Sequence, residues 1–120
     1  MVALTDQEMH YLGMNLVGKE LEKRGFEFIA INSTLGKQPQ FVCIDQNNNR
    51  FFVLVKVYKL PTLFKTHDPQ FMAKFKEHAK EHNSKILFAG IGLSNPDGEE
   101  LPIYKNKEYL IEFEGIQVID

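Results

Sequence analysis

The sequence lacks tryptophan and contains one cysteine, Cys43, among its 120 residues. A single cysteine excludes an intramolecular disulfide and any zinc or iron–sulfur site that needs several thiolates. Because Cys43 lies inside the apolar run 41–44, we expect its side chain to be buried and to pack as a small hydrophobe. We expect no cofactor.

Long apolar runs are also missing, since none approaches the roughly 20 residues that cross a bilayer. The first eight residues lack the basic and apolar segments of a signal peptide. Both absences favour a cytoplasmic protein with no membrane partner. The length of 120 residues is near the commonest domain size, so we predict a single domain over residues 1–120.

A strong excess of one charge is absent, because the formal net charge is −2. The charges are unevenly distributed: residues 50–85 carry eight basic and three acidic side chains, whereas residues 86–120 carry two and seven. The basic segment makes Lys56, Lys59 and Lys65 candidate binding residues for an acidic partner. Nucleic acid stays an alternative partner, but the small net charge does not favour it.

The first helix has clear signals at both ends. Thr5 followed by Glu8 forms a capping-box pattern, and Gly25 suits the left-handed residue after a helix. Between them, apolar residues recur at helical spacing: Met9, Leu12, Leu16, Val17 and Leu21.

A second helix should begin at Asp68, which can cap it, with Pro69 in the first turn. Its predicted apolar stripe contains Phe71, Met72, Phe75 and Ala79. His78 and His82 lie one turn apart on this helix, a spacing that can clamp a metal. We expect a solvated helix flank instead, because no third ligand is evident.

Strand-like segments alternate with these helices. They comprise residues 26–32, 41–45, 51–58, 86–93, a C-terminal hairpin of 101–104 with 109–113, and an edge strand at 116–119. On one face of the fourth strand, Gly90 and Gly92 leave room for the close approach of a helix. The predicted fold is α/β (α+β), a mixed sheet flanked by two helices in the order α-β-β-β-α-β-β-β.

Lys56 interrupts the apolar run 51–57, which indicates a buried strand. Such strands rarely carry an unpaired ammonium group. Three interpretations stay open: the side chain reaches water or pairs with a carboxylate, it is retained to bind phosphate or a partner, or it is catalytic.

The order of elements over roughly residues 8–93 resembles the core of the PD-(D/E)xK nuclease superfamily, which has the restriction-endonuclease-like fold. The resemblance places the family's lysine at Lys56. It places the metal-binding acids at Met14, Phe41 and Leu54. These three hydrophobes offer no oxygen ligand to a divalent metal, so the resemblance implies a degenerate active site without catalytic residues.

Only a shifted strand register could restore a metal site. Asp45, Glu20 or Gln40 would then have to converge near Lys56. The chain is also similar to a small bacterial group labelled as a component of the sodium-translocating NADH:quinone reductase. One cysteine cannot ligate the iron–sulfur cluster that such a component needs, so we expect no such activity.

The sequence thus predicts a non-catalytic binding or assembly module, with self-association through the C-terminal hairpin as the candidate interface. The alternative is a divergent metal-dependent nuclease or a nucleic-acid-binding module centred on Lys56. The question of enzymatic activity stays open, with a non-enzyme favoured.

Overall fold

The computed structural model describes residues 1–62 and 68–119. Its elements are α1 (Asp6–Lys23), β1 (Glu27–Ile31), β2 (Phe41–Ile44), β3 (Arg50–Lys59), α2 (Pro69–Glu81), β4 (Ser84–Ser94) and β5 (Leu110–Ile119). Neither α1 nor α2 combines the length and the hydropathy that a membrane-spanning helix requires.

The five strands form one mixed sheet in the order β1-β2-β3-β4-β5. The pairs β1–β2 and β2–β3 are antiparallel, as is β4–β5, whereas β3 and β4 run parallel and are connected through α2. In this register Phe41 lies beside Val53, and Lys56 lies beside Gly90. The predicted α+β architecture is therefore confirmed, with β3 at the centre of the sheet.

Both helices begin as their capping residues predict. The Glu8 backbone N–H donates to Thr5 Oγ1 (3.1 Å), and the Thr5 N–H donates to Glu8 Oε1 (2.9 Å), which completes the capping box. At α2, the Phe71 N–H donates to the Asp68 carboxylate (3.0 Å), and Pro69 occupies the first turn. These bonds satisfy amide groups that a helix terminus otherwise leaves unpaired.

The helices cover opposite faces of the sheet and bury two separate clusters. The α1-side cluster contains Met14, Val17, Leu21, Phe41, Cys43, Phe51, Val53, Val55, Leu87, Ala89, Ile91, Leu93 and Ile103. The α2-side cluster contains Phe52, Leu54, Phe75, Ala79 and Ile86. Residues of β3 alternate between the clusters, as the twofold period of a strand requires.

The predicted C-terminal hairpin is wrong. Residues 101–104 contain no strand: Tyr104 makes an isolated bridge to Ala3, and the Ile103 carbonyl accepts a hydrogen bond from the Leu4 N–H (2.7 Å). The two segments predicted at 109–113 and 116–119 form the single strand β5. This strand continues through a bulge at Gly115, whose φ of +92° suits glycine.

The space beside Gly90 and Gly92 holds a tyrosine ring, and the prediction of an approaching helix there is wrong. A Cβ atom added at Gly92 would lie 3.0 Å from the ring of Tyr58. Tyr58 projects from β3, which is paired with this part of β4. The two glycines therefore accommodate a neighbouring side chain within the sheet.

Candidate functional site

Lys56 lies in the C-terminal half of β3 and is exposed. It lines a cleft of about 340 Å³ between β3 and the first turns of α1, which we call the Lys56 cleft. The other lining residues are Asp6, Met9, Leu35, Val57, Tyr58, Lys59 and Thr62. Within residues 1–62 and 68–119, ion pairs join Arg24 to Glu20 and Lys105 to Glu8, and Lys56 takes part in neither.

The other two candidate lysines differ from Lys56. The Lys59 ammonium group donates to the backbone carbonyls of Glu99 (2.6 Å) and Leu60 (3.0 Å), so it connects β3 to the loop after β4. Lys65 lies outside the described residues. Lys56 and Lys59 both line this cleft, and of the two Lys56 is the one without a hydrogen-bonded partner among the described residues.

The three positions that the nuclease resemblance assigns to acids do not converge. Met14 and Phe41 are buried in the α1-side cluster, whereas Leu54 is fully buried in the α2-side cluster. Phe41 pairs with Val53, the neighbour of Leu54 along β3, so these two positions face opposite sides of the sheet. All three side chains belong to the hydrophobic core.

The three residues that a shifted strand register would need as metal ligands, Asp45, Glu20 and Gln40, do not converge near Lys56 either. Asp45 accepts hydrogen bonds from the Asn49 side chain and from the backbone N–H groups of Asn49 and Asn47 in the β2–β3 turn, and these bonds lower its pKa. Glu20 is paired with Arg24 at the far end of α1. Only Gln40 lies near the Lys56 region, through its contact with His10.

His10 and Gln40 form a buried polar pair between α1 and the sheet. His10 is 2% exposed and Gln40 is fully buried. Burial lowers the pKa of His10 below its usual 6.5, the Gln40 amide opposes this effect, and the positive charge of Lys56 adds to it. Even so, neither ring nitrogen of His10 reaches hydrogen-bonding geometry with a described residue, and neither does Oε1 of Gln40.

Three glutamines hold the loop of residues 32–40 around this pair. From α1, Gln7 donates to the Ser33 carbonyl (2.9 Å) and accepts from the Leu35 N–H (2.8 Å). Gln40 donates to the carbonyl of Thr34 (2.9 Å), inside the loop. Gln38 donates to the Val55 carbonyl (3.3 Å), next to Lys56. The loop therefore forms one wall of the Lys56 cleft, since Leu35 lines it.

Sequence reasoning missed the pairing of His10 with Gln40. One signal was present, because His10 precedes Met14, Val17 and Leu21 at spacings of four, three and four residues. These are the spacings of a buried helical stripe. The contact with Gln40, thirty residues later, has no comparable signal.

The histidine pair on α2 and Cys43 lie away from this site. The rings of His78 and His82 are 4.6 Å apart, and both pack against Phe52. No group of three or more His, Cys, Asp or Glu side chains within the described part of the chain is placed to hold a metal ion. Cys43 is fully buried as predicted, and burial raises the pKa of its thiol to about 11.

Comparisons with known proteins add a family without an assigned activity. A family model described as a domain of unknown function, DUF8840, matches residues 7–119. No curated protein matches the sequence.

Proposed function

Because the chain belongs to the DUF8840 family, whose description names no activity, we propose its function from geometry: a non-catalytic binding and assembly module. Its fold would be related to that of the PD-(D/E)xK nucleases, with the catalytic acids lost. The order of helices and strands supports this relationship. The burial of Met14, Phe41 and Leu54 among hydrophobic side chains supports the loss of the acids.

The observation that carries the binding function is the position of Lys56. Lys56 is exposed and lines a cleft that also includes Asp6, the first residue of α1. A lysine ammonium group and the positive end of a helix both favour an anion. We therefore propose that the Lys56 cleft binds an anionic group, with phosphate as the class of ligand.

Asp6 provides an internal test of this assignment. Its carboxylate lines the same cleft and would repel an incoming anion. Removing the charge of Asp6 should strengthen anion binding, whereas removing the charge of Lys56 should weaken it. Two substitutions on facing elements should thus act in opposite directions.

The experiment is a titration of isotope-labelled protein with pyrophosphate and with a 5′-phosphorylated dinucleotide, followed by amide chemical shifts. We expect shifts at Lys56, Val57 and the first turn of α1. The Lys56→Ala variant should bind at least about tenfold more weakly, which equals about 1.4 kcal/mol. Asp6→Asn should bind more tightly, and Lys74→Ala, on the exposed side of α2, should bind as the unchanged protein does.

Three results would contradict the proposal. If the shifts cluster on the lysines of α2, or if Lys56→Ala binds normally, the cleft is not the binding site. Cleavage of a DNA and RNA panel in the presence of manganese, abolished by Lys56→Ala, would show a catalytic lysine and therefore an enzyme.

A further inference from the structure

The outer edge of β5 is the longest open strand edge in the described part of the chain. One side of this ten-residue strand pairs with β4, and its other side pairs with no described strand. Three of its apolar side chains are largely exposed: Leu110 (55%), Ile111 (44%) and Val118 (64%). A long open edge with exposed apolar side chains is a template for pairing with another strand.

The two halves of β5 present matching side chains to each face of the sheet. Residues on the α1 side are Ile111, Phe113, Ile116 and Val118, as their pairing with β4 shows. Residues on the α2 side are Leu110, Glu112, Gln117 and Ile119. The bulge at residues 114–115, opposite Gly90, separates the two halves. Read inward from either end of the strand, the side chains therefore point to the α2 side, the α1 side, the α2 side and the α1 side in turn.

From this symmetry we propose that β5 pairs antiparallel with β5 of a second copy of the chain, across a twofold axis at the bulge. Ile111 then lies beside Val118 of the second copy, and Leu110 lies beside its Ile119. Glu112 lies beside Gln117, and Glu114 lies beside Gly115. The inference rests on the assembly part of the proposed function and joins the two sheets into one of ten strands.

A second copy of the chain suits the open edge of β5 because the edge is complementary to itself. In this register every directly opposed pair outside the bulge shares a face, the exposed Ile111 meets the exposed Val118, and the exposed Leu110 meets the partly buried Ile119. No two carboxylates are directly opposed. A register moved toward the start of the strand, until Glu112 met Glu112, would oppose like charges and leave Val118 without a partner.

In this arrangement one carboxylate, Glu108, lies near basic side chains of the other copy. A groove of about 530 Å³ between α2 and the sheet is lined by Lys76, Lys80 and Lys85 together with Val118 and Ile119. The strand of the second copy would enter beside this groove at Leu110, directly after Glu108 and Tyr109. Because the arrangement is symmetric, Glu108 of each copy lies near the lysines of the other copy's groove, although Lys105 and Lys107 make the segment 105–109 net basic.

The test is the concentration dependence of the molecular mass, measured by sedimentation equilibrium. We expect a dimer whose dissociation constant rises at least about tenfold in Ile111→Lys and in Val118→Glu, since each substitution puts a charge beside an apolar group. The variant that combines both changes places the new ammonium group of one copy beside the new carboxylate of the other and should recover dimerisation. Ile31→Lys, at the exposed edge of β1, is the matched control and should dimerise normally.

A strict monomer at every concentration would overturn the inference, as would single β5 variants that dimerise normally. Failure of the double variant to recover dimerisation would overturn the proposed register. All substituted side chains are exposed, and the melting curves should confirm that each variant folds. Phosphate binding at the Lys56 cleft is measured separately, so loss of one proposal leaves the other standing.

Discussion

The two faces of the sheet are built differently. Among the described residues, thirteen are buried in the α1-side cluster and five in the α2-side cluster. The α1 side also encloses the polar pair of His10 and Gln40, whereas α2 leaves the sheet around Tyr58 partly open. The 18-residue helix α1 thus covers the larger part of the hydrophobic core, most of which the strands supply, and the 13-residue helix α2 covers the smaller part.

The largest expected difference between the faces is in the cost of deleting a core side chain. Leu21 on α1 is fully buried, and Leu21→Ala should lower the free energy of unfolding by about 2–5 kcal/mol. Met72 on α2 is partly buried, so Met72→Ala should cost less than half as much. Urea unfolding of the two variants measures both costs. Equal decreases in the free energy of unfolding would show that the two faces of the sheet contribute equally to stability.

Two glycines on α1, Gly13 and Gly18, test how closely this helix packs against the sheet. A Cβ atom at Gly13 would overlap the Val57 side chain, so Gly13→Ala should destabilise the protein by about 1–3 kcal/mol. At Gly18 the same atom would lie 3.5 Å from the Phe41 ring, an ordinary contact. Because alanine favours a helix over glycine, Gly18→Ala should stabilise the protein by up to about 1 kcal/mol.

Urea midpoints give the sign of each change. The two substitutions add the same methyl group to the same helix, so helix propensity alone would make both stabilising. A stabilising Gly13→Ala would therefore show that α1 lies farther from β3 than the structure has it.

The two faces of the sheet should contribute differently to the pH dependence of stability, because the α1 side buries a histidine, His10. The lowered pKa of His10 means that the unfolded chain, with a pKa near 6.5, binds this proton more readily than the folded protein does. The stabilising contribution is therefore complete above pH 6.5 and is lost as the pH falls through the lowered pKa. We expect the melting temperature to decrease over this range.

The matched variants for this prediction are His10→Gln and His78→Gln. His10→Gln should flatten the decrease, whereas His78→Gln, on the exposed flank of α2, should retain it. A decrease that persists unchanged in His10→Gln would assign the acid sensitivity to other groups.

The smallest expected effect concerns Cys43 in the α1-side cluster. Burial raises its pKa to about 11, so the folded protein should resist iodoacetamide at neutral pH while the urea-unfolded chain reacts readily. The labelling rate, followed by mass spectrometry, checks this. Rapid labelling of the folded protein would mean that β2 opens frequently.

Local signals in the sequence predicted most of the fold. The capping residues Thr5 and Asp68 determined where the helices begin, because a cap acts within three residues. The Asp45 turn likewise defined the β2–β3 hairpin. Alternation and apolar runs located β3 and β4, since these patterns depend on burial alone.

Distant partners were not predictable in the same way. Residues 103–105 pair with the backbone of residues 2–4, about one hundred positions earlier, and no local pattern identifies that partner. The same holds for His10 and Gln40, whose contact depends on the position of the 32–40 loop. Lys56 was identified because a charge within an apolar strand is a local anomaly.

The parallel pairing of β3 with β4 has a consequence for the order of folding. The antiparallel partners β2 and β3 need only a short turn between them, so their contact can form early. Contact between β3 and β4 requires the whole crossover through α2 to close, which costs more chain entropy and slows the step. We expect β5 to dock only after this event, so the edge proposed for self-association would be the last part of the sheet to become available to a second chain.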